Sequence, residues 1–459
     1  MAHPPGLDIV IRNRRFAVMM VLALVVLGVS WVLRPERTGR SSPASLAAPG
    51  KEATGAAGGL TPGAGPGGQP GGTPTAGTVQ PQSARLPSEL TSLRLHARLT
   101  DAVAPASVAL GAQGLVAVPT SASGHDVVLF RPDGSVAGRI PDAVELNRYR
   151  ITGHKGVVRG SPAGAAVSTD GRHVYVTNYA MSGDGFRSPP TSACVPSDSV
   201  QPSFVYRLEV ATSSVDQVIP VGAGPGAVAL TPDGRYLLVA NACSWDLSVV
   251  STERASRVAN VQLDGAASAV AISPDGRIGY AAVPKRNAVV AVDLATVVGG
   301  VAQAQNLATV EGAPSALAVS SDGRHLFVAS GPGGSLGAGG SAGSLGSGSV
   351  AKLDGASGEV LSRVSTRTRA SAIALSSDGT AVFVAGDGPP MVTKLGTTDL
   401  RVRAEIATPA DPVGFAYDPS RNRLWVACRS GSVLVLDDTA PSRPATTTSG
   451  SNPRVTQTG

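Results

Sequence analysis

Residues 228–242 read VALTPDGRYLLVANA, and this stretch decides the fold because its pattern returns along the chain. In each clear copy an aspartate–glycine step separates two apolar segments. The other clear copies are VAISPDGRIGYAAV at 270–283, LAVSSDGRHLFVAS at 317–330 and IALSSDGTAVFVAG at 373–386. Degenerate copies are FAYDPSRNRLWVAC at 415–428 and VALGAQGLVAVP at 108–119, and a further copy ends in the strand Tyr175-Val176-Thr177-Asn178. Repeats of this length predict an array of similar structural units.

Each unit carries the signals of a four-stranded antiparallel sheet. In residues 228–242, alternating apolar residues predict a strand with one buried face. Asp233-Gly234 reverses the chain, because aspartate bonds its own backbone and glycine accepts a positive φ. The continuous apolar run 236–240 predicts a strand buried on both sides, and 247–251 and 257–262 predict two further strands.

The aspartates of these turns also invite a calcium or acid–base interpretation. Their spacing follows the turn and not a ligand cage, so we interpret them as structural. They are Asp170, Asp233, Asp275, Asp322 and Asp378.

The units, each of roughly 40–45 residues, predict an all-β fold, a seven-bladed β-propeller over residues 86–438. Blade seven supplies only three strands before a Pro/Thr/Ser-rich tail begins. The alternating segment SLRLHARL at 92–99 has no partner in its own surroundings. We therefore expect residues 92–99 to be the outer strand of blade seven, which closes the ring.

The units resemble the YVTN-type β-propeller repeats, in which an aspartate–glycine turn leads to a Tyr-Val-x-Asn strand end and a Gly-x-x-Pro segment begins the next blade. Gly222-Ala223-Gly224-Pro225 is such a segment, and the resemblance covers about residues 90–438. It implies the fold but no single activity, because related propellers include surface proteins, lactonase-like enzymes and subunits of redox enzymes. A WD40 propeller is the alternative, yet Trp245-Asp246 opens a strand where a WD unit would end one.

The net charge of +6 does not indicate nucleic-acid binding. The excess of Lys and Arg lies in residues 1–85 and 440–459, and residues 86–439 are close to neutral. The propeller has neither a basic face nor basic residues interleaved with aromatic ones, as a nucleic-acid-binding surface requires. We expect no nucleic-acid partner.

The N-terminal part predicts attachment to a membrane. Residues 16–33 are an uninterrupted apolar run, long enough at about 1.5 Å per residue to cross roughly 27 Å of hydrocarbon. Arg12, Arg14 and Arg15 precede the run, which favours a cytoplasmic segment 1–15 and a single transmembrane anchor. A cleaved signal peptide is the alternative.

Two segments have the composition of disordered chain. Residues 34–85 are dominated by Gly, Pro, Ala, Ser and Thr, and 439–459 by Thr, Ser and Pro. We predict a stalk at 34–85 and a tail at 439–459. The sequence thus predicts a single-pass protein of the cell membrane, with its propeller on the extracytoplasmic side.

Three cysteines are present. Cys194 and Cys243 fall in equivalent loops of neighbouring blades, so we predict a disulfide between them. The alternative is that all three are reduced, with Cys428 packed as a small apolar residue. No Cys-x-x-Cys motif exists, so neither zinc nor covalently bound haem is indicated.

A search of the sequence for catalytic machinery finds little. His173 and His325 occupy the same position after two turns, and we interpret them as surface residues at strand starts. His125 and His154 lie in less regular segments, without a motif that carries a nucleophile. We expect no catalytic set, no metal site and no cofactor.

One face of the ring is predicted to be richer in loops than the other. The stretch 141–162 and the loops 179–203 and 331–349 all fall on the face that joins second to third strands and blade to blade. Binding sites usually lie on such loops. The polar or bulky residues that collect there are Asn178, Asn241, Trp245, Asp246, Lys285, Arg286, Asp387 and Arg429.

Two classes of function remain open. The favoured one is a membrane-tethered binding or scaffold module whose loop-rich face binds an unknown protein or small-molecule ligand. In that case Asn178 and Asn241 contribute to the face, although they can also simply cap their strands. The alternative is an exported, lactonase-like propeller hydrolase with carboxylates or a metal near the central channel.

Overall fold

The computed structural model describes residues 86–111, 113–121, 125–187, 194–196, 201–331 and 347–439. The predicted cytoplasmic segment 1–15, anchor 16–33 and stalk 34–85 lie outside the described residues, as does the tail from residue 440. In the part of the chain that is described, no helix is both long and apolar enough to cross a membrane.

The described residues form seven antiparallel sheets, which we number blades I to VII in chain order. Blade I contains β2 (Ala109–Leu110), β3 (Val116–Pro119), β4 (Asp126–Phe130) and β5 (Val136–Pro141). Blade II contains β6 (Ala143–Val144), β7 (Val158–Val167), β8 (His173–Ser182), β9 (Phe204–Glu209) and β10 (Ser214–Pro220). Blade III contains β11 (Pro225–Leu230), β12 (Tyr236–Asn241), β13 (Asp246–Ser251) and β14 (Ser256–Gln262).

The remaining blades follow the same order. Blade IV contains β15 (Ala269–Ile272), β16 (Ile278–Val283), β17 (Ala288–Asp293) and β18 (Gln305–Thr309). Blade V contains β19 (Ala313–Val319), β20 (His325–Gly331), β21 (Gly348–Asp354) and β22 (Val360–Thr366). Blade VI contains β23 (Arg369–Leu375), β24 (Ala381–Asp387), β25 (Met391–Gly396) and β26 (Val402–Ala407), and blade VII contains β27 (Pro412–Asp418), β28 (Arg423–Cys428), β29 (Ser432–Thr439) and β1 (Ser92–Leu99).

Helical segments are short. They are the 3₁₀ turns Ser88–Leu90, Leu146–Tyr149 and Pro284–Arg286, and the helix α1 (Leu294–Val298).

The seven sheets form a closed ring. Strand β2 of blade I contacts β27 of blade VII and β7 of blade II, and the inner strands of the other blades contact each other in turn. The all-β, seven-bladed propeller predicted from the repeats is therefore confirmed. The blades are held by apolar side chains, for example Leu238 and Val249 of blade III against Ala281 of blade IV. A fully buried Leu or Val contributes about 1.5–3 kcal/mol to stability.

The N-terminal strand closes the ring, as the sequence predicted. Strand β1 pairs antiparallel with β29, from Ser92 opposite Thr439 to Leu99 opposite Val433. Strand β29 ends at Thr439, so this residue, which was predicted to begin the tail, belongs to blade VII. Blade VII is thus built from both ends of the chain.

A buried polar network fixes the chain just before β1. Lys394 Nζ lies 2.5 Å from Asp438 Oδ1, and both side chains are at most 1% exposed. Lys394 also donates to Thr91 Oγ1 at 2.7 Å, and Tyr417 donates to Asp438 at 3.1 Å. Ser88 and Thr91 donate their hydroxyl hydrogens to the same carboxylate. We call these five residues the latch, because they join the segment before β1 to blades VI and VII.

The turn aspartates have the structural role predicted for them. Asp233 Oδ1 accepts the Thr231 hydroxyl at 2.5 Å and the Arg235 amide at 3.0 Å, while Gly234 has a φ of +73°. These hydrogen bonds, the Thr231 hydroxyl first, lower the pKa of Asp233. Asp170, Asp275, Asp322 and Asp378 accept the same pair of bonds in their own blades.

The stretch 141–162 differs from the expected inter-blade loop. It contains β6, which pairs with β7 through Ala143–Arg159 and Val144–Val158 and gives blade II a fifth strand. It also contains a 3₁₀ turn and the beginning of β7 itself. Blade II is the one blade with five strands among the residues described.

Candidate functional site

The loops between second and third strands lie at one end of the ring, with the connections between blades. We call this end the insertion face, and the end with the aspartate–glycine turns the turn face. In blade II the loop on the insertion face runs from β8 to β9, so Tyr179 still belongs to β8. Residues 332–346 of the equivalent loop in blade V lie outside the described residues.

The loop of blade II is bonded to blade III. Cys194 and Cys243 form a disulfide, and Trp245 Nε1 donates to Cys194 O at 3.2 Å. Tyr179 Oη lies 3.7 Å from Cys243 Sγ. A bond that spans 49 residues contributes about 4 kcal/mol in the chain-entropy account of disulfides. Cys194 is therefore held against blade III at the junction of the two blades.

The third cysteine is separate from this site. Cys428 is free and buried in blade VII. Burial raises the pKa of its thiol to about 11, so the reactive thiolate is scarce at neutral pH.

Trp245 is the centre of an exposed patch on the insertion face. Its backbone has a φ of +55°, and Lys285 Nζ of blade IV lies 4.8 Å from its ring centroid. A cation at this distance from an indole gains about 0.5–1 kcal/mol at an exposed site. We define the Trp245 patch by residues that share this corner of the face: Tyr179, Val195, Trp245, Lys285 and Arg286.

The patch has a cavity beside it. Gln262 Nε2 donates to Trp245 O at 3.0 Å, and Gln262 lines a cavity of about 250 Å³ between blades III and IV. Asp264 and Arg286 also line it and form an ion pair with an N–O distance of 2.8 Å. The cavity offers both charged and apolar walls, including Leu263.

Asn241 and Asp246 are buried beneath the patch and not on it. Asn241 Nδ2 donates to Asp246 Oδ1 at 2.5 Å and to Ser248 Oγ at 2.9 Å. Asn260 donates to the other oxygen of Asp246 at 3.0 Å. Neither side chain can contact a ligand directly, which corrects the expectation that they lie on the binding face. Their bonds instead fix the turn that presents Trp245.

Asn178 is also buried, at the corresponding strand end of blade II. A Cβ at Gly160 would overlap its amide and lie 2.6 Å from Asp142 Oδ2, so glycine is required there. Neither the Asn178 amide nor the Asp142 carboxylate has a hydrogen-bond partner among the described residues. Burial raises the pKa of Asp142 well above its usual range.

Asp387 and Arg429 are exposed, as expected, but they belong to the strand ends of blades VI and VII. Arg429 N donates to Asp411 O at 2.8 Å. The contacts that join Trp245, Lys285 and the disulfide do not include these two residues. Of the residues predicted for the binding face, the structure therefore brings Trp245 and Lys285 together, beside the disulfide between blades II and III.

A second cluster, missed from the sequence, lies on the turn face of blade II. His173, Glu209 and Asp216 place one possible ligand atom each within 4.8 Å of the others. Arg207 Nη2 lies 2.7 Å from Asp216 Oδ2. His173 on β8 is far in sequence from Glu209 on β9 and Asp216 on β10, and only the pairing of these strands could have revealed the cluster.

Comparisons with known proteins support the fold. No protein-family model matches the chain, and no curated protein matches it. A solved structure of hydrazine synthase from Kuenenia stuttgartiensis is similar, with 18% identity, a TM-score of 0.57 and coverage of 75% of this chain and 98% of that chain. The chain is a β-propeller. At this identity the likeness shows the fold alone, and membership of the YVTN-type family stays a prediction.

Proposed function

We propose that this chain is a binding or scaffold module, tethered to the cell membrane by residues 16–33 and exposed on the extracytoplasmic side. The binding site in this proposal is the Trp245 patch. One observation carries it, namely that the Cys194–Cys243 disulfide holds Cys194 and the exposed Val195 beside the half-buried Trp245. Residues held by a disulfide in this way lose little conformational entropy when a partner binds.

The composition of the patch suits a protein partner. Tyr179 and Val195 are 41% and 47% exposed, so both side chains offer apolar surface to a partner. Aromatic residues and arginine are enriched in protein interfaces and supply much of their binding energy. Lys285 adds positive charge, whereas Arg286 is paired with Asp264. A polypeptide with apolar and acidic side chains therefore fits the patch best.

Site-specific photo-crosslinking tests this proposal. A photoreactive amino acid at Val195 is expected to give a discrete adduct in cells, and Trp245→Ala is expected to reduce its yield at least tenfold. Val402 is the control position, because it is also exposed, at 55% against 47% for Val195, but belongs to blade VI. Equal adducts at 195 and 402, or an adduct at 195 that does not depend on Trp245, would contradict a site at this patch.

The tether is tested separately. N-terminal sequencing of the protein from cells distinguishes an anchor from a cleaved signal peptide, because only the anchor retains residues 16–33. Protease added to intact cells whose cell wall has been made permeable is expected to reach the stalk. Protection of residues 34–85 from the protease would contradict an extracytoplasmic propeller.

The alternative remains an exported, lactonase-like hydrolase with a site at the central channel. Among the described residues, the possible metal-ligand cluster lies on the three outer strands of blade II and not on the inner strand β7. We assign no catalytic residues. Hydrolysis of a panel of lactones by the purified chain would favour this alternative.

A further inference from the structure

The turn face of blade II brings three possible metal ligands onto adjacent strands. His173 is the first residue of β8 and lies directly opposite Glu209 of β9. Strand β10 has a register shift between Val215 and Gln217, so Asp216 is its bulged residue. Bulges re-aim a side chain relative to the regular alternation of a strand. Here the bulge places the Asp216 carboxylate beside the His173 ring.

The distances within this cluster approach those of a metal centre. His173 Nε2 lies 2.9 Å from Glu209 Oε2 and 3.9 Å from Asp216 Oδ2. Around tetrahedral zinc, with bonds of about 2.0–2.1 Å, ligand atoms are separated by about 3.4 Å. The observed distances lie on either side of this value, so small side-chain movements would suffice to form the site.

We propose that His173, Glu209 and Asp216 bind a divalent transition metal ion of the zinc class. The three side chains are 23%, 27% and 29% exposed, which leaves one side of the cluster open to solvent. The open side gives the metal access and leaves a fourth position for water. One imidazole and two carboxylates are a common ligand set for such ions.

Arg207 orients the cluster and does not occupy it. Its Nε lies 3.1 and 3.0 Å from the two Asp216 oxygens, and its Nη2 lies 2.7 Å from Oδ2. Each carboxylate oxygen can accept more than one bond, so Asp216 keeps a lone pair for a metal. Carboxylates that bind metals are usually held by such outer hydrogen bonds. Two carboxylates against one guanidinium also leave negative charge for the ion to neutralise.

Blade V supplies a natural control for the three-ligand requirement. His325 lies opposite Asp354, as His173 lies opposite Glu209. The register of the outer strand shifts at Leu361, so an apolar residue stands where blade II has Asp216. Blade V therefore offers two ligands and blade II offers three.

Zinc binding to the full-length chain, prepared without a histidine tag and stripped with a chelator, tests the proposal. Calorimetry and elemental analysis are expected to give one zinc ion per chain. His173→Gln and Glu209→Gln are expected to weaken its binding at least tenfold, whereas His325→Gln leaves it unchanged. Circular dichroism checks that each variant is folded.

Chemical footprinting of the unmutated chain gives an independent readout. Zinc is expected to protect His173 from acylation by diethyl pyrocarbonate and to leave His325 reactive, as measured by mass spectrometry of peptides. Absence of stoichiometric zinc, or protection of both histidines alike, would overturn the proposal. The cluster would then be a polar network of His173, Glu209, Asp216 and Arg207 without an ion.

Discussion

Blades II and VII carry different side chains at three equivalent backbone positions near the turn face. In blade II the start of the second strand, the facing residue and the bulged residue are His173, Glu209 and Asp216. In blade VII they are Arg423, Asp437 and His96. Arg423 donates to Asp437 at 2.8 Å, and His96 Nδ1 lies 3.0 Å from Asp437 and 3.1 Å from Arg423, so it bonds to one of them at a time. In blade VII one guanidinium faces one carboxylate, whereas in blade II the Arg207 guanidinium faces two carboxylates beside a histidine. One scaffold thus yields either a salt bridge or an ion-binding arrangement.

The two blades also differ in how the chain builds them. Blade II is continuous in sequence and contains a fifth strand, β6. The outer strand of blade VII is β1, which precedes blade I in the sequence. Building blade VII from two distant parts of the chain makes its stability depend on both, and each blade packs on its neighbours. The predictions below test these differences, beginning with the largest expected effect.

Deletion of residues 86–99 is expected to abolish cooperative folding of the whole ring. Blade VII would lose β1, the latch would lose Ser88 and Thr91, and Asp438 and Lys394 would become exposed to water. Thermal unfolding followed by circular dichroism measures the effect. A chain that lacks residues 1–85 but retains 86–99 is the control. A deletion variant that melts like this control would show that blade VII needs no outer strand.

Lys394→Met is expected to destabilise the propeller by about 3–5 kcal/mol, because it leaves the Asp438 carboxylate buried without its cation. The double variant Lys394→Met, Asp438→Asn is expected to recover part of this loss. Denaturant unfolding measures both. The exposed pair of Arg148 with Glu145 is the control, since its loss costs at most about 1 kcal/mol.

Leu361→Asp is expected to give blade V the third ligand and hence a second zinc ion per chain. The substitution tests the comparison directly, because blade V already pairs His325 with Asp354. Leu361 is 47% exposed, so the change should leave the fold intact. Calorimetry should show two sites, and Leu361→Asn should show one. Equal stoichiometry in the two variants would refute the requirement for a carboxylate at the bulge.

Asp142→Asn is expected to stabilise the chain at neutral pH and to have no such effect near pH 4. Burial raises the pKa of Asp142 in the folded state. Its contribution to stability is therefore present below its unfolded pKa of about 3.9 and is lost as pH rises through the folded value. Denaturant unfolding at several pH values measures the difference. Parallel pH profiles of variant and parent would exclude a raised pKa at this site.

The sequence revealed the fold because its signals are local. Each aspartate–glycine turn and apolar strand can be read within one unit, and the unpaired segment 92–99 revealed how the ring closes. The fifth strand β6 was missed because its two residues lack any periodic pattern. The sequence also did not reveal that Asn178 and Asn241 are buried, since a polar residue at the end of a strand can face either water or the interior.

The candidate sites depend on contacts that a sequence pattern does not encode. Trp245 and Lys285 meet only because blades III and IV stand side by side. His173, Glu209 and Asp216 meet because of a bulge, whose position shifts the side-chain alternation by one residue. The turn before His173 predicts an ordinary surface residue at the start of a strand. The turn carries no information on the outer strand, from which Asp216 comes.

The latch also decides how the ring responds to mechanical load. Any force on the chain before residue 86 reaches β1 at its Ser92 end, where hydrogen bonds to β29 could be pulled apart one at a time. Ser88 N is bonded to Asp378 at 2.7 Å and Glu89 N to Thr380 at 3.1 Å, both in blade VI. Lys394 and Asp438 hold Thr91 from blades VI and VII. Blades VI and VII thereby share the tension before it reaches the hydrogen bonds between β1 and β29.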